Sequence, residues 1–166
     1  MSGMKRRVKR KPKSSGSRGQ GPEQISVTNR QRCVAIAAAV YRSLLRKLLK
    51  VTGQAPALVG LTFVDDLVMR RLNRTHRRAD RTTDVLAFPA VPLAPDAEPP
   101  GLGDIVISAE TARAQAAGPG ARAFRDECQR LLIHGYLHLL GYDHERSPRE
   151  ARRMQRMERR LAKLLT

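Results

Sequence analysis

The sequence predicts an α+β fold: a small mixed four-stranded sheet packed with about five helices. Short β-branched runs, Leu58 to Val64 the clearest, alternate with longer stretches whose apolar residues recur at helical spacing. Gly, Pro, Ser and Asp cluster at the junctions between them. A chain of 166 residues is also long enough to bury one core without staples.

The elements follow in order. Residues 1–22 are Lys, Arg, Ser, Gly and Pro with almost nothing apolar, so they are expected to be a disordered basic tail ahead of a single domain over 23–166. Ile25 and Val27 suggest a short strand. Thr28 followed by Gln31 resembles a capping box. From there Val34, Ala37, Val40, Tyr41, Leu44, Leu45 and Leu48 mark an amphipathic helix reaching about Lys50. Leu58 to Val64 is a strand, and Asp65 or Asp66 caps a short helix carrying Leu67, Val68, Arg71 and Leu72. Residues 73–82 are polar and read as irregular. Thr83 to Phe88 returns to strand character, and the Pro-rich run to Gly103 is a hairpin loop or flexible excursion. Asp104 to Ile107 is a further strand, in a sheet whose order is expected to be mostly sequential. Ser108 caps the next helix, Gly118-Pro119-Gly120 breaks it, and a longer helix runs from about Ala121 to Leu140. Ser147, Pro148 and Glu150 open the last helix, with Met154, Met157, Leu161 and Leu165 on its apolar face.

Net charge is +17, and the eight cations before the first acid, Glu23, leave +9 for the rest, so the body is basic in its own right. Such a surface attracts polyanions, of which nucleic acid is the commonest. Two cysteines, Cys33 and Cys128, are too few for a disulfide framework. Each is placed on a helix among apolar neighbours, where a buried free thiol is expected. No stretch approaches the roughly 18 apolar residues of a membrane span, and the basic N-terminus lacks the apolar core of a secretory signal. A reducing cytoplasm is the expected location.

Three of the four histidines fall in one stretch, His134-Gly135-x-Leu137-His138-Leu139-x-Gly141-Tyr142-Asp143-His144. His134 and His138, four apart on a helix, project from one face. Gly141 is placed to end that helix in a left-handed turn and return His144 to the same face. Three imidazoles at about 2.0–2.1 Å from one zinc ion leave a fourth position open, the catalytic form of such a site. Imidazole ligands alone also admit nickel, copper or iron. The spacing matches H-E-x-x-H-x-x-G-x-x-H, except that Gly135 stands where metallopeptidases carry the general-base Glu. This argues against a peptidase, unless a carboxylate such as Asp143 substitutes. Arg77, Arg78 and Arg81 lie between elements, and Arg suits bidentate phosphate binding. A zinc hydrolase in a basic cleft points to a phosphodiester.

The histidine stretch also resembles the signature of the YbeY family of bacterial endoribonucleases. Two further blocks resemble that family's motifs. One is Leu72-Asn73, Arg77, Asp80 and Thr83-Asp84-Val85-Leu86-Ala87-Phe88-Pro89; the other is Gly103-Asp104-Ile105-Val106-Ile107. Met154 and Glu158 sit as in the family's C-terminal helix, and the resemblance covers roughly residues 25–166. It implies a single-strand-specific, zinc-dependent endoribonuclease acting in ribosomal RNA maturation (the 16S 3′ end) and ribosome quality control. It carries one zinc ion per chain onto His134, His138 and His144, a phosphate-contacting role onto Arg77, and RNA, ribosomal or in ribosome precursors, as partner. His76 departs from the usual Tyr, Thr82 from Pro and Ala87 from Ser; an exposed loop is the place expected for His76. Asp143 either orients a ligand or caps the turn. Asp84 and Asp104 are structural carboxylates or candidate bases. The competing class is a ribosome-assembly factor whose zinc is structural.

Overall fold

The computed structural model describes residues 24–91 and 101–165. The basic segment 1–22 and the centre of the Pro-rich run, 92–100, lie outside the described residues. Nine elements follow in order among those described: β1 Gln24–Asn29, α1 Ala38–Val51, β2 Leu58–Val64, α2 Asp66–Arg77, β3 Val85–Pro89, β4 Gly101–Ser108, α3 Ala109–Gln115, α4 Ala121–Leu139 and α5 Pro148–Leu165. The α+β class, the mixed four-stranded sheet and the five helices stand as expected from sequence.

The sheet order is β1-β2-β4-β3, with β1, β2 and β4 parallel and β3 antiparallel to β4. The order is thus only partly sequential. β2 lies between two parallel partners, and helices cover both faces of the sheet, so it reads as a near-continuous apolar run rather than an alternation. One face of the sheet presents Val59, Leu61, Phe63, Ile105 and Ile107 to the main core with α1, α4 and α5. The other face, through Val64, Leu86 and Val106, is covered by Met69 of α2.

Three local readings are corrected. Thr28 and Gln31 do not form a capping box, because β1 pairs with β2 as far as Asn29. The buried Gln31 side chain instead organises the following loop: its Oε1 accepts from the Cys33 and Val34 amides at 2.8 and 3.0 Å, and its Nε2 donates to the Val34 carbonyl. Helix α1 therefore starts at Ala38, and Cys33 lies exposed in that loop rather than buried on a helix. Cys128 is buried, and burial pushes its thiol up to about 12. Helix α2 continues through the polar stretch to Arg77, so His76 and Arg77 are helical rather than in a loop. The stretch looked irregular because its side chains are mostly exposed and leave no apolar period to read.

Helix α2 is capped at both ends. Asp65 accepts from the Val68 amide at 2.8 Å, and Arg78 takes the left-handed conformation at φ 57°. Asp66 pins its first turn, accepting from the hydroxyls of Ser108, Thr111 and Thr82. Burial would raise this carboxyl, but those hydrogen bonds hold it below its ordinary value. Ser108 and Ser147 cap α3 and α5 through the Thr111 and Glu150 amides, as expected. Helix α4 is central and the most buried, with Leu131, Leu132, Tyr136 and Leu137 enclosed. Tyr136 keeps its hydroxyl paired to Thr52 at 2.7 Å.

Candidate metal centre and its cleft

Helix α4 carries His134 and His138 one turn apart, half-buried, with their Nε2 atoms 3.1 Å from each other. Beyond Leu140 the chain stops in the two-bond Schellman pattern: the Tyr142 amide donates to the Leu137 carbonyl and the Gly141 amide to the His138 carbonyl, both at 3.0 Å. Gly141 has φ +83°, a conformation that L side chains rarely adopt, so the residue type and the reversal go together. Asp143 then accepts from the Glu145 amide at 2.9 Å. Asp143 is thus a turn residue, and it also lies 3.4 Å from the Arg146 guanidinium. These two turns return His144 to the helix, with ring centroids 5.1 Å from His134 and 5.2 Å from His138.

One ligand atom from each histidine lies within 4.8 Å of the other two, a group that can hold a metal ion. Three nitrogens about 2.0–2.1 Å from a tetrahedral ion stand roughly 3.3–3.4 Å apart, so the 3.1 Å pair is near that spacing, while His144, within 4.8 Å, would close in to join them. Burial, with His134 and His144 close by, lowers the His138 pKa and favours the neutral imidazole that binds metal. Glu158 of α5 completes the arrangement. Its Oε1 lies 2.7 Å from His134 Nδ1, which turns the opposite ring nitrogen toward the other histidines. The motif resemblance places Glu158 with Met154 on the C-terminal helix but gives it no role at the histidines, which only the packing of α5 on α4 reveals.

The histidines open onto a cleft of about 810 Å³ whose walls include Arg77, Arg81, Asp84, Thr111, Gln115 and Arg146. Arg77 from the last turn of α2 is thereby brought to the same cleft as the histidines. Arg78, at the left-handed cap, is not among the lining residues. Arg146 is, and sequence reasoning passed over it. The loop carrying Arg81 is tied down by buried Asn73, whose Nδ2 donates to the Arg81 carbonyl at 2.8 Å. Asp84 faces the cleft but already accepts from the Val85 amide at 2.9 Å. Asp104 does not line the cleft; it belongs to a separate depression with Ser26 and Gly60. His76 also stays out, its ring edge-on to Phe88 with centroids 4.9 Å apart.

Gly135 lies at the cleft floor, where α4 meets the sheet. A Cβ there would stand 2.8 Å from Ile105 Cγ2 and 3.2 Å from Val85 Cγ2. Both neighbours are stiff β-branched side chains on strands. The glycine lets helix and sheet approach closely, and a carboxylate at this position has no room. That supplies a packing reason for the missing peptidase base.

A family model described as Endoribonuclease YbeY matches residues 26–166. The chain is 52% identical over 104 residues to an Endoribonuclease YbeY of Myxococcus xanthus (strain DK1622), covering 62% of this chain and 35% of that protein. It is 47% identical over 131 residues to one from Anaeromyxobacter sp. (strain Fw109-5), covering 76% and 64%. The chain thus spans less than two thirds of both of these relatives. A third, from Thermodesulfovibrio yellowstonii, is 36% identical over 154 residues, covering 82% and 94%. The solution structure of a Thermotoga maritima protein superposes with a TM-score of 0.53 at 26% identity, covering 86% of this chain and 89% of that one.

Proposed function

From the chain's membership of the Endoribonuclease YbeY family, we propose that it is a zinc-dependent endoribonuclease, hydrolysing phosphodiester bonds in single-stranded RNA. The observation that carries this reading is the shared cleft: three mutually facing imidazoles lining it together with Arg77, Arg81 and Arg146. His134, His138 and His144 would hold the metal, which supplies Lewis acidity toward a phosphoryl oxygen when bound. Arg77 presents a planar fork of N–H donors able to grip two non-bridging oxygens and to neutralise charge that builds on them. Glu158 fixes the His134 ring, and Asn73 holds the Arg81 loop against the cleft. Hydrolysis adds water across one P–O bond, leaving a phosphate on one fragment and a hydroxyl on the other. If the RNA 2′-hydroxyl attacks instead, a cyclic phosphate appears among the products.

The finer reading rests on the motif resemblance: maturation of ribosomal RNA in the cytoplasm, on the ribosome or its precursors. Among the described residues no helix is long and apolar enough to cross a membrane. Residues 1–22, with eight cations and no acid, would add a salt-sensitive hold on RNA outside the 23–166 domain.

The test is metal analysis paired with cleavage of single-stranded RNA. His138→Ala should lose both metal and cleavage. Arg77→Ala should keep its metal and lose about 10²–10³ in kcat, the scale for removing one charge-stabilising donor. Cleavage by Arg77→Ala at the wild-type rate removes the role given to Arg77. Metal-loaded wild type that cuts no RNA leaves the assembly-factor reading in its place.

A further inference from the structure

Helix α5 has an inner and an outer half with different chemistry. Met154, Leu161 and Leu165 are buried, and Glu158 reaches His134 from the edge of that inner half. The outer half consists of Arg149, Arg152, Arg156, Arg159, Arg160 and Lys163, all exposed. They recur once or twice per 5.4 Å turn along roughly 21 Å of helix. None of the six makes an ion pair among the described residues. Some exposed arginines are matched, Arg70 by Asp80, Arg130 by Glu127 and Arg153 by Glu150, and others stand unpaired elsewhere; what sets α5 apart is that its six cations share one face of one helix. Like charges three and four residues apart destabilise a helix, so this row works against the element that bears it. An ordinary solvated face interleaves acids, whereas neither acid of α5 pairs with the row: Glu150 meets Arg153 of the same helix and Glu158 meets His134.

We propose that this row is a second RNA-binding surface, gripping the phosphates of the strand that flanks the scissile bond. The proposal rests on the endoribonuclease reading and extends it. A helix with its side chains is about 10–12 Å across, so the row lies one helix width from His134. Between them Arg153 stacks over the Tyr142 ring at 4.9 Å, and that ring lines the cleft. RNA leaving the cleft past Tyr142 would pass Arg146 and Arg153, each beside a carboxylate, before reaching the unpaired row on α5. Arginines without base-reading partners bind backbone, so the grip is independent of sequence.

The experiment compares full-length wild type with the Arg152→Gln/Arg156→Gln/Arg159→Gln variant. Anisotropy of a labelled long single-stranded RNA is read over a salt series before cleavage sets in. Each lost phosphate contact lowers the log–log salt slope by about 0.7, so three lower it by about 2. Over a fourfold rise in salt, the wild type should lose about 16-fold more affinity than the variant. The corresponding Arg→Lys variant should keep the wild-type slope, because a point charge suffices. If the triple Gln variant fails to fold by circular dichroism, the three single Gln variants should each lower the slope by about 0.7. Unchanged slope and affinity in an RNA-cleaving protein overturn the row alone; absence of cleavage by the wild type strikes the reading beneath it. Loss of binding to phosphatidylglycerol vesicles with RNA binding intact would assign the row to a membrane and overturn the proposal.

Discussion

Replacing Glu158 tests whether α5 controls the metal site from outside the ligand set. Its carboxylate accepts from His134 Nδ1 at 2.7 Å, a short charge-assisted contact that fixes both the tautomer and the ring plane. Losing such a partner costs metal affinity about 10–100-fold, or roughly 1.4–2.7 kcal/mol. The Glu158 side chain is 31% exposed, so water replaces part of the contact and the lower end, about 10–30-fold, applies to Glu158→Ala. Glu158→Gln keeps an acceptor oxygen without the charge and should fall between Ala and wild type. The assay is competition for zinc against a chromophoric chelator, with circular dichroism confirming the fold. Equal zinc affinity in Glu158→Ala and wild type, alongside loss of binding in His138→Ala, would refute the orienting role and leave the ligands standing. Undiminished binding in His138→Ala would sink the ligand set itself.

Two further outcomes follow from packing and charge. Gly135→Ala gains about 1 kcal/mol in helix propensity but forces a Cβ to 2.8 Å from Ile105 Cγ2, with overpacking of about 1–3 kcal/mol; its melting temperature should fall, and a rise would show that α4 is not wedged against the sheet. Asp66 has a folded-state pKa below its unfolded value, so its stabilisation is present above the ordinary carboxylate range and disappears as pH falls through the lowered value. Denaturant titrations should therefore show wild type losing stability more steeply than Asp66→Asn as pH falls below the ordinary carboxylate range, and parallel curves would mean the hydroxyl cluster does not hold the charge.

What could be read from the sequence was whatever depends on neighbours along the chain. His134, His138, Gly141 and His144 lie within eleven consecutive residues, and helix pitch plus one left-handed glycine suffices to bring three rings together. The caps at Asp65, Ser108 and Ser147 are equally local, since each hydroxyl or carboxylate finds an amide three residues on. Gln31 misled because its side chain bonds a loop rather than a helix turn, and only the pairing of β1 with β2 decided which. Helix α2 outruns its apolar pattern, because an exposed polar turn carries no periodic signal. The sheet order, the hydrogen-bond reach of Glu158 across 24 residues, the entry of Arg81 and Arg146 into the cleft and the tight seat of Gly135 all depend on contacts between distant segments. Local geometry is written in residue spacing. Which surfaces meet is chosen by the packing of the whole core, and that choice belongs to the tertiary structure.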